Sequence, residues 1–387
     1  PVANQTVTAT TTDNDVAGFT IAQTGGSTSV AETGTTDTFT IVLNAQPASN
    51  VVLTVTSSDT GEATVNTPLT FTSANWNTPQ TVTVTGVDDN IIDGTISSTI
   101  TVSVNDGSSD NNFDPVADQT VTATTTDDDV AGFTIAQTGG STSVAETGTT
   151  DTFTVVLNAQ PDSDVVFAIT SSDTGEATVT SSLTFTNANW NTAQTVTVTG
   201  VDDNIIDGTI SSTITVSVND GSSDNNFDSL ADQTVTATTT DNDVAGFTIA
   251  ETGGSTSVAE TGTTDTFTIV LNAQPNSDVV LAITSNDTGE TTVTSSLTFT
   301  NANWNTAQTV TVTGVDDDLV DGTISSTITV SVNDGSSDNN FDPVADQTVT
   351  ATTTDNDVAG FTIAQTGGST AVAETGTTDT FTIVLNA

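Results

Sequence analysis

The string Thr-Thr-Thr-Asp-Asn-Asp-Val-Ala-Gly-Phe-Thr-Ile-Ala starts at Thr10 and returns, with one change, at Thr124, then unchanged at Thr238 and Thr352. The interval is 124 − 10 = 114 residues and holds at every recurrence. A period this long is a whole domain, because solenoid coils repeat every 20–50 residues or so. It fits one β-sandwich, which needs about 100 residues. The chain thus divides into the end of a repeat at 1–15, full repeats at 16–129, 130–243 and 244–357, and the start of another at 358–387. It is expected to be a window on a longer array, with any targeting signals outside it.

Within one repeat, Thr81-Val82-Thr83-Val84-Thr85 and Thr99-Ile100-Thr101-Val102-Ser103-Val104 alternate strictly between polar and apolar. That is the pattern of a strand with one buried face, and Thr and Val suit a pleated surface. Seven such runs lie near residues 19–30, 38–43, 51–56, 63–72, 81–87, 97–104 and 119–126, and nothing reads as a helix. The expected fold is all-β: tandem Ig-like antiparallel β-sandwiches of about seven strands, strung end to end. Phe19, Phe39, Leu53, Phe71, Val82, Val84, Ile100 and Val102 are the expected core. Trp76, in a turn at the entry pole, is expected to cap it.

The chain has 49 acidic residues and no Lys, Arg, His or Cys, a formal charge of −49. Nucleic acid and anionic membranes are excluded as partners, since both need a basic surface. No imidazole base, thiolate or amine nucleophile exists, and no disulfide. A two-carboxylate hydrolase would need two isolated acids in different environments, whereas these acids recur identically in each copy. No enzyme is expected. Not one carboxylate has a salt-bridge partner in the chain, so clustered ones call for a cation from solvent.

Seven alternating passes place entry and exit at opposite poles. In the first repeat Glu32 and Asp37 follow the first pass, Asp59 and Glu62 the third, and Asp88, Asp89 and Asp93 the fifth. Asp127, Asp128 and Asp129 end the seventh. Ten of the fourteen acids of the repeat therefore meet at the exit pole, where the next repeat begins. Calcium takes six to eight oxygens in flexible geometry, so it is the cation this set suits. Magnesium keeps its waters, and zinc would want His or Cys. The other four acids (Asp106, Asp110, Asp114 and Asp118) lie at the entry pole, where the loop at 106–114 is a candidate for a second ion.

Val30-Ala31-Glu32, Val87-Asp88-Asp89-Asn90-Ile91-Ile92-Asp93-Gly94 and the closing Asp127-Asp128-Asp129 together resemble the Calx-beta domain. This is a calcium-binding sandwich also found in arrays in bacterial surface proteins. The resemblance implies calcium ligands at Glu32, Asp88, Asp89, Asp93, Asp127 and Asp129, with one more from Asp59 or Glu62. In the second repeat these positions are Glu146, Asp173 or Glu176, Asp202, Asp203, Asp207, Asp241 and Asp243. In the third they are Glu260, Asp287 or Glu290, Asp316, Asp317, Asp321, Asp355 and Asp357. Asp13 and Asp15, which end the leading fragment, match Asp127 and Asp129 and are expected ligands of the preceding repeat.

The expected function is an extracellular, cell-surface stalk or filament, stiffened by calcium at its domain junctions, in a bacterial adhesin or appendage. Its partners would be calcium, neighbouring repeats and other copies of the chain. The alternative is an adhesion module that binds carbohydrate or protein on the sandwich surface.

Overall fold

The computed structural model describes residues 2–386; Pro1 and Ala387, the outermost residues of the two partial repeats, lie outside the described residues. The three full repeats have the same architecture, so the first serves for all. Its strands are β1 (Phe19–Gln23), β2 (Thr28–Ala31), β3 (Thr36–Leu43), β4 (Val51–Ser57), β5 (Ala63–Val65), β6 (Leu69–Phe71), β7 (Gln80–Gly86), β8 (Thr95–Val104) and β9 (Gln119–Thr126). One sheet has the order β1-β3-β7-β5 and the other β2-β9-β8-β4-β6. The fold is an Ig-like sandwich repeated in tandem. Its only helical elements among the described residues are three-residue 3-10 turns.

There are nine strands per repeat, not seven. The first and fourth expected runs each split between the two sheets, at residues 24–27 and 66–68. Gly25 and Gly26 make the first break with φ of 76° and 89°, a region that costs glycine little. Each split strand keeps its direction in the other sheet, so entry and exit remain at opposite poles. Neighbours are not sequential as an up-and-down trace would have them. One pairing is parallel, β2 with β9, from Thr28↔Ala123 to Ala31↔Thr126.

Alternation on both inner faces builds the core. All eight expected core residues are buried, Phe39, Leu53, Phe71, Val82, Val84, Ile100 and Val102 completely. Each is worth roughly 1.5–3 kcal/mol relative to an exposed position. Trp76 packs half-buried against this core, and its carbonyl accepts from the Leu43 amide at 3.1 Å. Each full repeat has a core of its own. The last fragment forms a hairpin, Phe361–Gln365 with Phe381–Leu385.

Candidate metal centre

Three hydrogen bonds donated by backbone amides at the exit pole assemble the site. The Glu32 amide donates to the Thr126 carbonyl at 3.1 Å, setting the end of β2 beside the end of β9. The Val87 amide donates to the Glu62 carbonyl at 2.9 Å, joining the turn before β5 to the acidic loop after β7. The Gly94 amide donates to Asp127 Oδ2 at 2.9 Å, closing that loop onto the terminal triplet. Gly94 has φ of 78°. Gly86, at the root of the loop, is in tight contact with β2. A Cβ there would lie 2.1 Å from the Ala31 carbonyl oxygen.

Two groups of three carboxylates result, Glu32 with Asp127 and Asp129, and Glu32 with Glu62 and Asp93. Within each group the oxygens lie within 4.8 Å of one another. Opposite oxygens of a bound calcium stand roughly 4.6–5.2 Å apart, so the spacing suits the ion. Glu32 belongs to both groups and is 1% exposed; Glu62 is 5% exposed. Both carboxylate oxygens of Glu32 are buried without a hydrogen-bond partner. So are Glu62 Oε2, Asp93 Oδ1 and Asp129 Oδ2. A carboxylate deprived of water and of any donor is costly, and a cation is what relieves it.

The electrostatics record this crowding. Burial first, then Asp127, pushes the Glu32 carboxyl from 4.5 up to about 7. Burial, then Asp93, raises Glu62; burial, then Asp89, raises Asp93; burial, then Asp127, raises Asp129.

The same set recurs. In the second repeat Glu146 meets Glu176 and Asp207, and also Asp241 and Asp243; in the third Glu260 meets Glu290 and Asp321. Glu176 is pushed up to about 7, by burial and then Asp207. Asp357 in the third repeat is raised by burial and then by Asp355. Asp355 itself accepts from the Gly322 and Asp357 amides at 2.9 and 2.6 Å.

Other expected ligands stand apart. Asp59, Asp173 and Asp287 are exposed and spend Oδ1 on the amides of Gly61, Gly175 and Gly289 at 3.0, 2.9 and 3.1 Å, holding their own turns. Between Asp59 and Glu62, it is Glu62 that faces the cluster. Asp89, Asp203 and Asp317 border it, each with Oδ1 accepting from the amide two residues on. Asp88, Asp202 and Asp316 are exposed at the rim. Asp37 does not join the cluster, because its two oxygens accept from the Ser29 and Thr38 amides at 2.9 and 2.7 Å. Asp13 and Asp15 are exposed in an unpaired stretch. In the entry-pole loop, Asp110 accepts from the Ala48, Ser49 and Asn112 amides at 2.7, 2.9 and 3.0 Å. Those bonds, led by Asn112, hold its carboxyl below the usual range. It is a structural anchor.

Sequence reasoning missed the other side of the acidic loop. Asn90 O accepts from the Gln160 amide of the next repeat at 2.7 Å, and Ile92 packs against that repeat's core. Two apolar residues in an otherwise polar loop were the available signal.

No family model and no curated protein matches the chain. Among solved structures it is similar to the calcium binding domain CBD12 of CALX1.1, with TM-score 0.24 and 15% identity over 51% of this chain and 79% of that one. It is also similar to domains 4 and 5 of the S-layer protein SbsC, with TM-score 0.25 and 16% identity over 58% and 99%. A third similarity is to the I-band fragment I67-I69 from titin, with TM-score 0.24 and 8% identity over 89% and 97%. Among the described residues no helix is long and apolar enough to cross a membrane.

Proposed function

We propose that this chain is a stalk or filament segment of an extracellular, cell-surface protein, stiffened by calcium held at the exit pole of each repeat, and that it performs no catalysis. Glu32, Glu62, Asp93, Asp127 and Asp129 would hold the ions of the first repeat. Glu146, Glu176, Asp207, Asp241 and Asp243 would do so in the second, and Glu260, Glu290, Asp321, Asp355 and Asp357 in the third. The observation that carries this reading is Glu32, buried with both oxygens unpartnered in a chain without one basic side chain.

Calcium supplies the missing positive charge. Once neutralised, the four converging segments no longer repel, and the terminal triplet is fixed to the loops of its own repeat. The linker that leaves it then has one direction. Binding to the folded state alone also raises stability by mass action. Sites of this kind in extracellular modules work at about 10⁻⁴–10⁻³ M calcium. A bacterial adhesin or appendage is the setting this reading favours.

The test is thermal unfolding of the whole chain with calcium, with magnesium and with chelator, alongside small-angle scattering. A calcium-specific rise in melting temperature with a longer, stiffer particle is expected. Identical melts and shapes in calcium and in chelator would reduce the acids to a solvated surface and end the proposal.

A further inference from the structure

The two joints between full repeats are made by one and the same loop. It reads Val-Asp-Asp-Asn-Ile-Ile-Asp-Gly both from Val87 and from Val201. Ile91 and Ile205 make isolated parallel bridges with Gln160 and Gln274 of the next repeat. The Gln160 and Gln274 amides donate to Asn90 O and Asn204 O, both at 2.7 Å. Asn226 Nδ2 donates to Ile92 O at 3.0 Å, and Asn340 Nδ2 to Ile206 O at 2.9 Å. Ile92 and Ile206 pack against the next repeat's core.

The surfaces that receive the loop differ. At the second joint Asn276 Nδ2 also donates to Ile206 O, at 3.1 Å, so that carbonyl holds two amide donors. The counterpart of Asn276, 114 residues back, is Asp162. A carboxylate has no proton to offer the Ile92 carbonyl, and it adds a negative charge beside the acidic loop. Asp93 is raised by burial, then by Asp89 and Asp127 of its own repeat and by Asp162 across the joint. Asp207 is raised by burial, then by Asp203, Asp241 and Asp173, all of its own repeat. The loops are also tied differently to their own repeats. The Asp207 and Gly208 amides both donate to Asp241 Oδ2, at 3.1 and 2.9 Å. In the first repeat the Gly94 amide alone makes this bond among the described residues. One difference runs the other way: Leu230 in the first seat is Val344 in the second, a methylene worth roughly fourfold.

We propose that the two joints are a hinge and a lock. Without divalent ions the joint between the first and second full repeats opens, at Asp162 against Asp93 and the Ile92 carbonyl. The joint between the second and third stays closed under the Asn276 amide. The missing bond is worth about two- to tenfold. Repulsion between Asp93 and Asp162 adds to it, and the two together outweigh the methylene. Bending of the chain is therefore concentrated at one junction, although the two loops are identical. The contrast belongs to the receiving surfaces and is read without any ion, so it stands or falls apart from the calcium reading.

Hydrogen exchange reads each joint directly. Gln160 and Gln274 both follow Ala and precede Pro, so their amides have closely matched intrinsic rates. Val155 against Ile269 and Asp162 against Asn276 distinguish the two fragments by mass. In the whole chain with chelator, Gln160 should exchange about five to ten times faster than Gln274. The Asn158 and Asn272 amides bond within their own repeats, to Gly132 O and Gly246 O at 2.9 Å, and should exchange alike. Asp162→Asn should slow Gln160 to the rate of Gln274, and Asn276→Asp should speed Gln274 by about three- to tenfold, with Asn158 and Asn272 unmoved. Both positions are exposed, so neither substitution disturbs a core. Equal protection of Gln160 and Gln274 in the parent chain would overturn the proposal. So would an Asp162→Asn chain in which Gln160 keeps its rate, or one in which Asn158 slows as much as Gln160.

Discussion

Asn242 Nδ2 donates to Asp202 Oδ1 at 2.8 Å, while the Asn242 amide donates to Glu146 Oε2 at 3.1 Å. Asn356 repeats both bonds, to Asp316 and Glu260, at 2.7 and 3.1 Å. One neutral side chain therefore ties the rim of the acidic loop to the terminal triplet. The first repeat has Asp128 instead, which brings a further negative charge to the same rim and offers Asp88 no side-chain donor. Asp128→Asn should stabilise the first repeat in chelator by about 0.5–1.5 kcal/mol, the worth of one hydrogen bond. Its calcium-bound melt should change less. Chelator melts of the two chains check this, and a lower midpoint for the variant would contradict it.

Replacing the shared glutamate separates binding from stability. The triple variant Glu32→Gln, Glu146→Gln, Glu260→Gln removes one buried charge per repeat. In chelator the first repeat should be more stable by about 1–3 kcal/mol, the cost of a buried group without a partner, and the other two by less, because Glu146 and Glu260 each accept one backbone amide. Its calcium affinity should fall by roughly tenfold or more, because the charge common to both groups is gone. Calorimetry of binding and of unfolding would show the two effects with opposite signs. A chelator melt below that of the parent chain would count against the site.

The pH dependence follows from Glu32 and Glu176, raised from 4.5 to about 7. Between those values the folded chain holds protons that the unfolded chain has released. Without a divalent ion, the stability from this source is complete below pH 4.5 and is lost as pH rises through 7. Melting in chelator should therefore drop from pH 5 to pH 7.5, and calcium should flatten the drop. Calcium binding at pH 6.5 should also release protons, visible as a dependence of the binding heat on the buffer.

Gly200 leaves no room for a side chain. A Cβ there would lie 2.1 Å from the Ala145 carbonyl oxygen, and the clash is with backbone at the foot of the acidic loop. Gly200→Ala should destabilise the second repeat by about 1–3 kcal/mol and weaken calcium binding there. Urea unfolding of the variant would detect both, and a midpoint equal to that of the parent chain would refute the close approach.

The sequence carried the core without ambiguity, since period-2 alternation named the buried partners from Phe19 to Val102. The second strand break was hidden because the alternation resumes in phase, Ala63 and Val65 leading on to Leu69 and Phe71. At the first break the inward positions shift from odd to even, from Phe19 and Ile21 to Thr28 and Val30, and Gly25-Gly26 marks the change of sheet. Among the acids, spacing could not choose between Asp59 and Glu62, because both follow β4 within one turn. Asp-Thr-Gly is itself a turn signal, and the Gly61 amide does claim Asp59. Burial singled out Glu32, Glu62 and Asp93, and burial depends on which loops lean over which, information that lies between distant segments. The same holds for Ile92, whose seat is built 39 to 138 residues further along, from Ala131 to Leu230.

The parallel pairing of β2 with β9 has a mechanical meaning. In the proposed stalk a repeat would be loaded at its two poles, through the segment before β1 and the segment after β9. Tension then runs along these two strands in opposite senses and slides one past the other. The bonds from Thr28↔Ala123 to Ala31↔Thr126, with the Glu32 amide on Thr126, would share that load at once rather than break in succession. In such a stalk the four-residue seam would be the shear lock of each repeat, with the carboxylate cluster at its exit end.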